Sequence, residues 1–220
     1  IASVFAVMMP TSARLANGKI ETGDIVYQGE RLLDISDVMD GGAVLYGITG
    51  SNAEGKQIPV SDPNSFTVPT SAKTGTYNKT SSSEGSAIDL VIDEPEISAG
   101  VFIEGTTDSV VGKSIPRGTL LQIRVEPNFG GIIVPREGGD SKIKVKIDEP
   151  GGTAYEYTKK FNASAQEIIV TRNGTYKWGG DAPTLDTTDW DTGTWKVKVS
   201  TDKGTCNDLD ISSAEYEFTV

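Results

Sequence analysis

The chain has 220 residues, 36% of them hydrophobic, which is enough to pack one large or two small domains. Its 31 acidic and 20 basic side chains give a formal charge of −11. That charge repels phosphate backbones, so nucleic acid is not expected as a partner. Histidine is absent and cysteine occurs once, at Cys206. This removes the common nucleophile–base pairs, nearly all zinc sites and any internal disulfide framework, so neither enzyme activity nor a cofactor is expected.

Ile1 to Met9 is apolar apart from Ser3, and Thr11 and Ala13 then stand at the spacing a signal peptidase favours. Residues 1–17 therefore read in two ways. They are a signal remnant, or an assembly strand whose Ile1, Val4, Phe5, Val7 and Met8 lie in an apolar groove of a neighbouring subunit. The run is too short to cross a bilayer as a helix, and no other segment is long and apolar enough, so no membrane span is expected. Asn78-Lys79-Thr80, Asn162-Ala163-Ser164 and Asn173-Gly174-Thr175 match the N-glycosylation acceptor pattern. With the signal-like start they point to an extracellular address, making Asn78, Asn162 and Asn173 glycosylation candidates.

Past residue 18 the pattern is strands and turns. Leu121 to Glu126, Lys142 to Ile147 and Trp195 to Val199 alternate apolar with polar, which puts one face of each strand in a core. Gly-Gly pairs beginning at residues 41, 130, 138, 151 and 179 punctuate them. Thr74-Gly75-Thr76-Tyr77 recurs as Thr192-Gly193-Thr194-Trp195, each time with the aromatic residue entering a late strand. Asp93-Glu94-Pro95-Glu96 reads as a polar linker, with proline ending the preceding strand. The expected fold class is all-β, with very little helix: two immunoglobulin-like β-sandwich domains in tandem, 18–95 and 96–220.

Candidate sites are few. The stretch 173–194 holds Asp181, Asp186, Asp189 and Asp191 beside Tyr176, Trp178 and Trp190. Its carboxylates are candidates for calcium, and its tryptophans for stacking on sugars, although the spacing is not that of an EF-hand. Cys206 is either a buried, inert thiol or an intermolecular disulfide. Lys142, Lys144 and Lys146 line one face of a strand. They either protect an edge from unwanted pairing or dock on an acidic patch of a neighbouring copy.

Three passages carry a family resemblance. Gly23 to Glu30, continuing to Ile35, resembles the opening of a β-rich domain in surface-layer-like proteins of methanogenic archaea. Gly112 to Thr119 with Leu121 to Val125 is similar to that family's central strand motif, and Trp190 to Val199 to its closing strand. The resemblance implies a structural cell-envelope protein, a surface-layer or tubular-sheath subunit forming a homopolymer with copies of itself through edge-strand pairing and apolar contacts. The family's Thr/Pro-rich stalk and anchor have no counterpart before Val220. The alternative is a secreted carbohydrate-binding or adhesive module that takes cell-surface glycans on the loop 173–194.

Overall fold

The computed structural model describes residues 19–129, 142–160, 168–171 and 185–220. The first unit comprises β1 (Ile25–Tyr27), α1 (Ser36–Met39), β2 (Val44–Gly47), β3 (Gln57–Pro59), β4 (Gly75–Asn78) and β5 (Leu90–Asp93). Its strands form a five-stranded sheet in the order β1-β5-β4-β2-β3. All neighbours are antiparallel except β1 and β5, which run parallel with Val26 opposite Ile92. A parallel pair needs a long crossover, and the connection here is α1 with β2, β3 and β4.

The second unit has β6 (Ile97–Ile103), β7 (Leu121–Pro127), β8 (Lys142–Asp148), β9 (Ala154–Lys160), β10 (Ile168–Thr171), β11 (Thr194–Thr201) and β12 (Tyr216–Thr219). They make two antiparallel sheets, β10-β7-β6 and β12-β11-β8-β9. Between them lies a core to which Val101, Ile123 and Val125 contribute from one side and Val145, Ile147, Trp195, Val197 and Phe218 from the other. The alternation seen in the sequence is the reason: β8 and β11 bury every second residue and turn lysines outward.

The protein is thus all-β, with one four-residue α-helix and two short 3-10 turns among the described residues. The two-sheet arrangement expected of both halves is found in the second. The first instead rests on a single named sheet, closed over by α1 and the loops that carry Leu33, Ile35, Phe66 and Val68. Gly112 to Thr119, expected to open a central strand, is turn and bridge instead. Gly112 and Ile115 donate to the Glu217 and Thr219 carbonyls, so this segment covers the outer edge of β12.

The two units share β1. Its three residues are all apolar or aromatic, and with a period of two they face both ways. Val26 enters the first core, while Tyr27 is buried in the second and Ile25 packs against it. The Tyr27 ring meets Phe129 edge-on at 6.3 Å, and its hydroxyl donates to the Asn128 carbonyl. Asn128 also ties down the linker, donating from Nδ2 to the Glu94 carbonyl and accepting from the Glu96 N–H. Nearby, Glu30 is fully buried. Its carboxylate accepts from Tyr27 N–H and from Asn207 Nδ2 at 2.9 Å, a contact across the two units.

Candidate functional site

The most chemically distinctive described surface is the outer face of β8 and β11. These are the two central strands of their sheet, paired from Lys196 opposite Asp148 to Thr201 opposite Ile143. This corrects the edge-protection reading of Lys142, Lys144 and Lys146: β8 has β11 on one side and β9 on the other, so it exposes no unpaired backbone to protect. Register adds Lys196 and Lys198 of β11 to this face, Lys198 opposite Lys146 and Lys196 opposite Asp148. Glu156, Lys146 and Lys198 stand in one cross-strand row, and Ala154, Asp148, Lys196 and Glu217 in another.

Carboxylates flank the lysines. Lys146 Nζ lies 2.9 Å from Asp148, and Lys196 Nζ lies 2.8 Å from both Glu215 and Glu217. Lys144 is within 3.7 Å of Glu156 and 3.9 Å of Asp202. Hydrogen bonding to Glu215 and then Glu217 pushes the Lys196 ammonium above its ordinary pKa. Lys142 and Lys198 have no ion partner among the described residues. At the end of the stripe an open recess of about 630 Å³ lies between Lys146, Lys196, Asp148, Glu149 and Thr194.

The other predicted residues serve the fold. Trp190 is 3% exposed, with its ring 4.0 Å from Trp195 and 6.1 Å from Phe218. This corrects the expectation that it stacks on sugars: the turn Thr187–Asp189 drives the ring into the core. Asp186 caps that turn, its Oδ1 accepting from Thr188 N–H and hydroxyl. Asp189 and Asp191 are exposed, and no group of three acidic or cysteine side chains that could hold a metal ion occurs among the described residues. Trp178, Tyr176 and Asp181 lie outside the described residues, as do Asn162, Asn173 and the N-terminal Ile1, Val4, Phe5, Val7 and Met8.

Asn78 is 6% exposed, and both ends of its amide are committed. Oδ1 accepts from Thr80 N–H, Thr80 hydroxyl and Ser81 N–H, and Nδ2 donates to the Ala87 carbonyl. In the folded chain this triplet is the end of β4 and the bend after it, and its amide nitrogen is committed to the Ala87 carbonyl. Cys206 is fully buried, its Sγ donating to the Lys142 carbonyl at 3.3 Å, and burial raises the thiol pKa. Of the two readings, the inert thiol is the one the geometry fits; an intermolecular bridge would require the core to open.

Two features were missed from sequence. The lysines of β11 were visible as an alternation but could not be joined to those of β8 without register. The β1 junction had a signal, the unbroken apolar run Ile25-Val26-Tyr27, which marks a strand covered on both faces. No helix among the described residues is long and apolar enough to cross a membrane.

No curated protein matches the chain. Among solved structures it is similar to a tetra-tandem repeat from the extending region of a large adhesion protein, at 11% identity and a TM-score of 0.35, covering 80% of this chain and 40% of that one. It is similar also to the C-terminal domain of the Streptococcus agalactiae AgI/II polypeptide BspA, at 11% identity and a TM-score of 0.32, covering 74% of this chain and 56% of that one. The chain therefore spans 40% and 56% of the lengths of these two neighbours. A family model matches residues 22–210, nearly the whole described body, and the chain belongs to that family, described as Domain of unknown function (DUF3821).

Proposed function

We propose that this chain is a structural module of the cell envelope, exposed outside the cell, that associates with copies of itself into an extracellular layer or sheath. The observation that carries the reading is the junction between the units. Tyr27 is buried in the second core and Glu30 is bonded across to Asn207, so the two β units are joined by a shared strand and a buried hydrogen bond. A body so joined transmits position from one contact to the next, which a layer subunit needs and a flexible tandem does not provide. The resemblance to surface-layer-like domains of methanogenic archaea supports the same reading. Contacts between copies would come from strand edges, the N-terminal apolar run and the lysine face.

Electron microscopy of the native protein, in its envelope and as a refolded chain starting at Lys19, tests this. Ordered sheets or tubes in the native material are expected. Discrete monomers in both samples at envelope-like concentration would overturn the layer reading.

A further inference from the structure

The stripe on β8 and β11 sets two like charges side by side. Lys146 and Lys198 stand directly opposite each other on neighbouring central strands, a like-charge pairing that destabilises a sheet. Asp148 at 2.9 Å offsets this at Lys146, whereas Lys198 is exposed with no ion partner among the described residues, and Lys142 likewise has none. Along β8 the three lysines recur at every second residue, about 7 Å apart, and on β11 Lys198 stands opposite Lys146 and Lys196 opposite Asp148. Five lysines thus share this face with Asp148, Glu156, Asp202, Glu215 and Glu217, and Lys142 and Lys198 are left without an ion partner among the described residues, in a protein whose net charge is −11.

The first unit has the opposite character. Residues up to Pro95 hold 12 acidic and 6 basic side chains. At its exit Asp93, Glu94 and Glu96 are all exposed and take part in no ion pair among the described residues. Asn128 holds the backbone of Glu94 and Glu96, and the Asp93 carbonyl accepts from Gln28 N–H, so the carboxylates are presented from a fixed strap. No ion pair joins this strap to the lysine stripe within one chain among the described residues.

We propose that the stripe of Lys142, Lys144, Lys146, Lys196 and Lys198 docks on the acidic first unit of a second copy, with Asp93, Glu94 and Glu96 in the contact. This rests on the layer reading above and names the face that would build the layer. The contact joins two different surfaces, so each docked copy still offers a free stripe at one end and a free strap at the other. Such a heterologous contact builds a ring where its rotation closes and an open array where it does not. Charge complementarity fixes the register of such a contact and makes it sensitive to salt.

The test uses the full chain and charge reversal. Lys142→Glu with Lys198→Glu removes the two lysines that have no ion partner and leaves the ion pairs of Lys144, Lys146 and Lys196 in place. The change at position 198 also sets a carboxylate beside Lys146, which favours the sheet. Glu94→Lys with Glu96→Lys alters the strap without touching the backbone bonds to Asn128. Self-association measured by sedimentation at low salt is expected to weaken roughly tenfold in either double variant and to recover when all four changes are combined. Thermal melts of the variants check that each is folded.

Association of the wild type that neither reversal alters would overturn this contact and leave the layer reading standing. A wild type that never associates would overturn both. Binding of dextran sulfate to the wild type, lost in the lysine variant while self-association stays unchanged, would overturn the second copy as occupant in favour of a polyanionic glycan.

Discussion

The side chains that looked chemical in the sequence mostly close the fold, and Cys206 shows how. Burial favours its neutral thiol, so the folded pKa is raised. The unfolded chain releases that proton first, at about pH 8.5. The stability this group contributes is therefore complete below that pH and is lost as pH rises toward the folded value. Unfolding free energy measured from pH 7 to 10 is expected to decline above about pH 8.5, and Cys206→Ala is expected to remove that part of the decline at a general cost of cavity formation. A thiol reagent should leave the native protein untouched at pH 8 and label it fully in denaturant. Fast labelling of the native chain would show the thiol to be accessible and return the intermolecular bridge to consideration.

At the scale of elements, the weak sequence echo proves to be one local structure used twice. Gly75 and Gly193 both have φ +138°, a conformation L side chains rarely adopt, and each leads into a strand whose aromatic residue is buried. Tyr77 hydroxyl donates to the Lys73 carbonyl, and Trp195 Nε1 donates to the Asp191 carbonyl, in each case four residues back. An added Cβ at Gly193 would stand 2.8 Å from Pro150, and at Gly75 2.9 Å from the Ala53 backbone. Gly193→Ala and Gly75→Ala are each expected to lower unfolding free energy by about 1–3 kcal/mol from backbone strain and crowding. Gly112→Ala, at φ +72° with nothing within 4 Å, should cost about 1 kcal/mol. Equal costs at all three sites, read from urea curves, would deny the echo its special geometry. The repeat was legible as letters, but its meaning came from the φ angle and the hydrogen bond, which short matches such as Thr-Gly-Thr do not specify.

At the scale of the molecule, the shared β1 strand predicts that the units unfold together. Tryptophan fluorescence reports only the second unit, because Trp178, Trp190 and Trp195 all follow Pro95. It should give the same urea midpoint as far-UV circular dichroism, which reports both. Two separated transitions would mean that the units fold independently. Asn207→Gly keeps the residue's φ of +49° at little strain while deleting its bond to the buried Glu30 carboxylate. It is expected to cost about 2 kcal/mol, in the range for hydrogen bonds to charged groups. The sequence by itself determined the all-β class, the outward lysines of β8 and β11, and the polar linker at Glu94 to Glu96. Alternation, turn residues and proline act locally, so they are readable one segment at a time. Only the tertiary structure decided that β8 is a central strand, that Trp190, Cys206 and Asn78 face inward, and that β1 serves two cores. Each of these depends on which strands pair and in what register. Pairing is set by burying both cores at once, a condition spread over residues far apart in the chain, as the contact between Glu30 and Asn207 illustrates at a separation of 177.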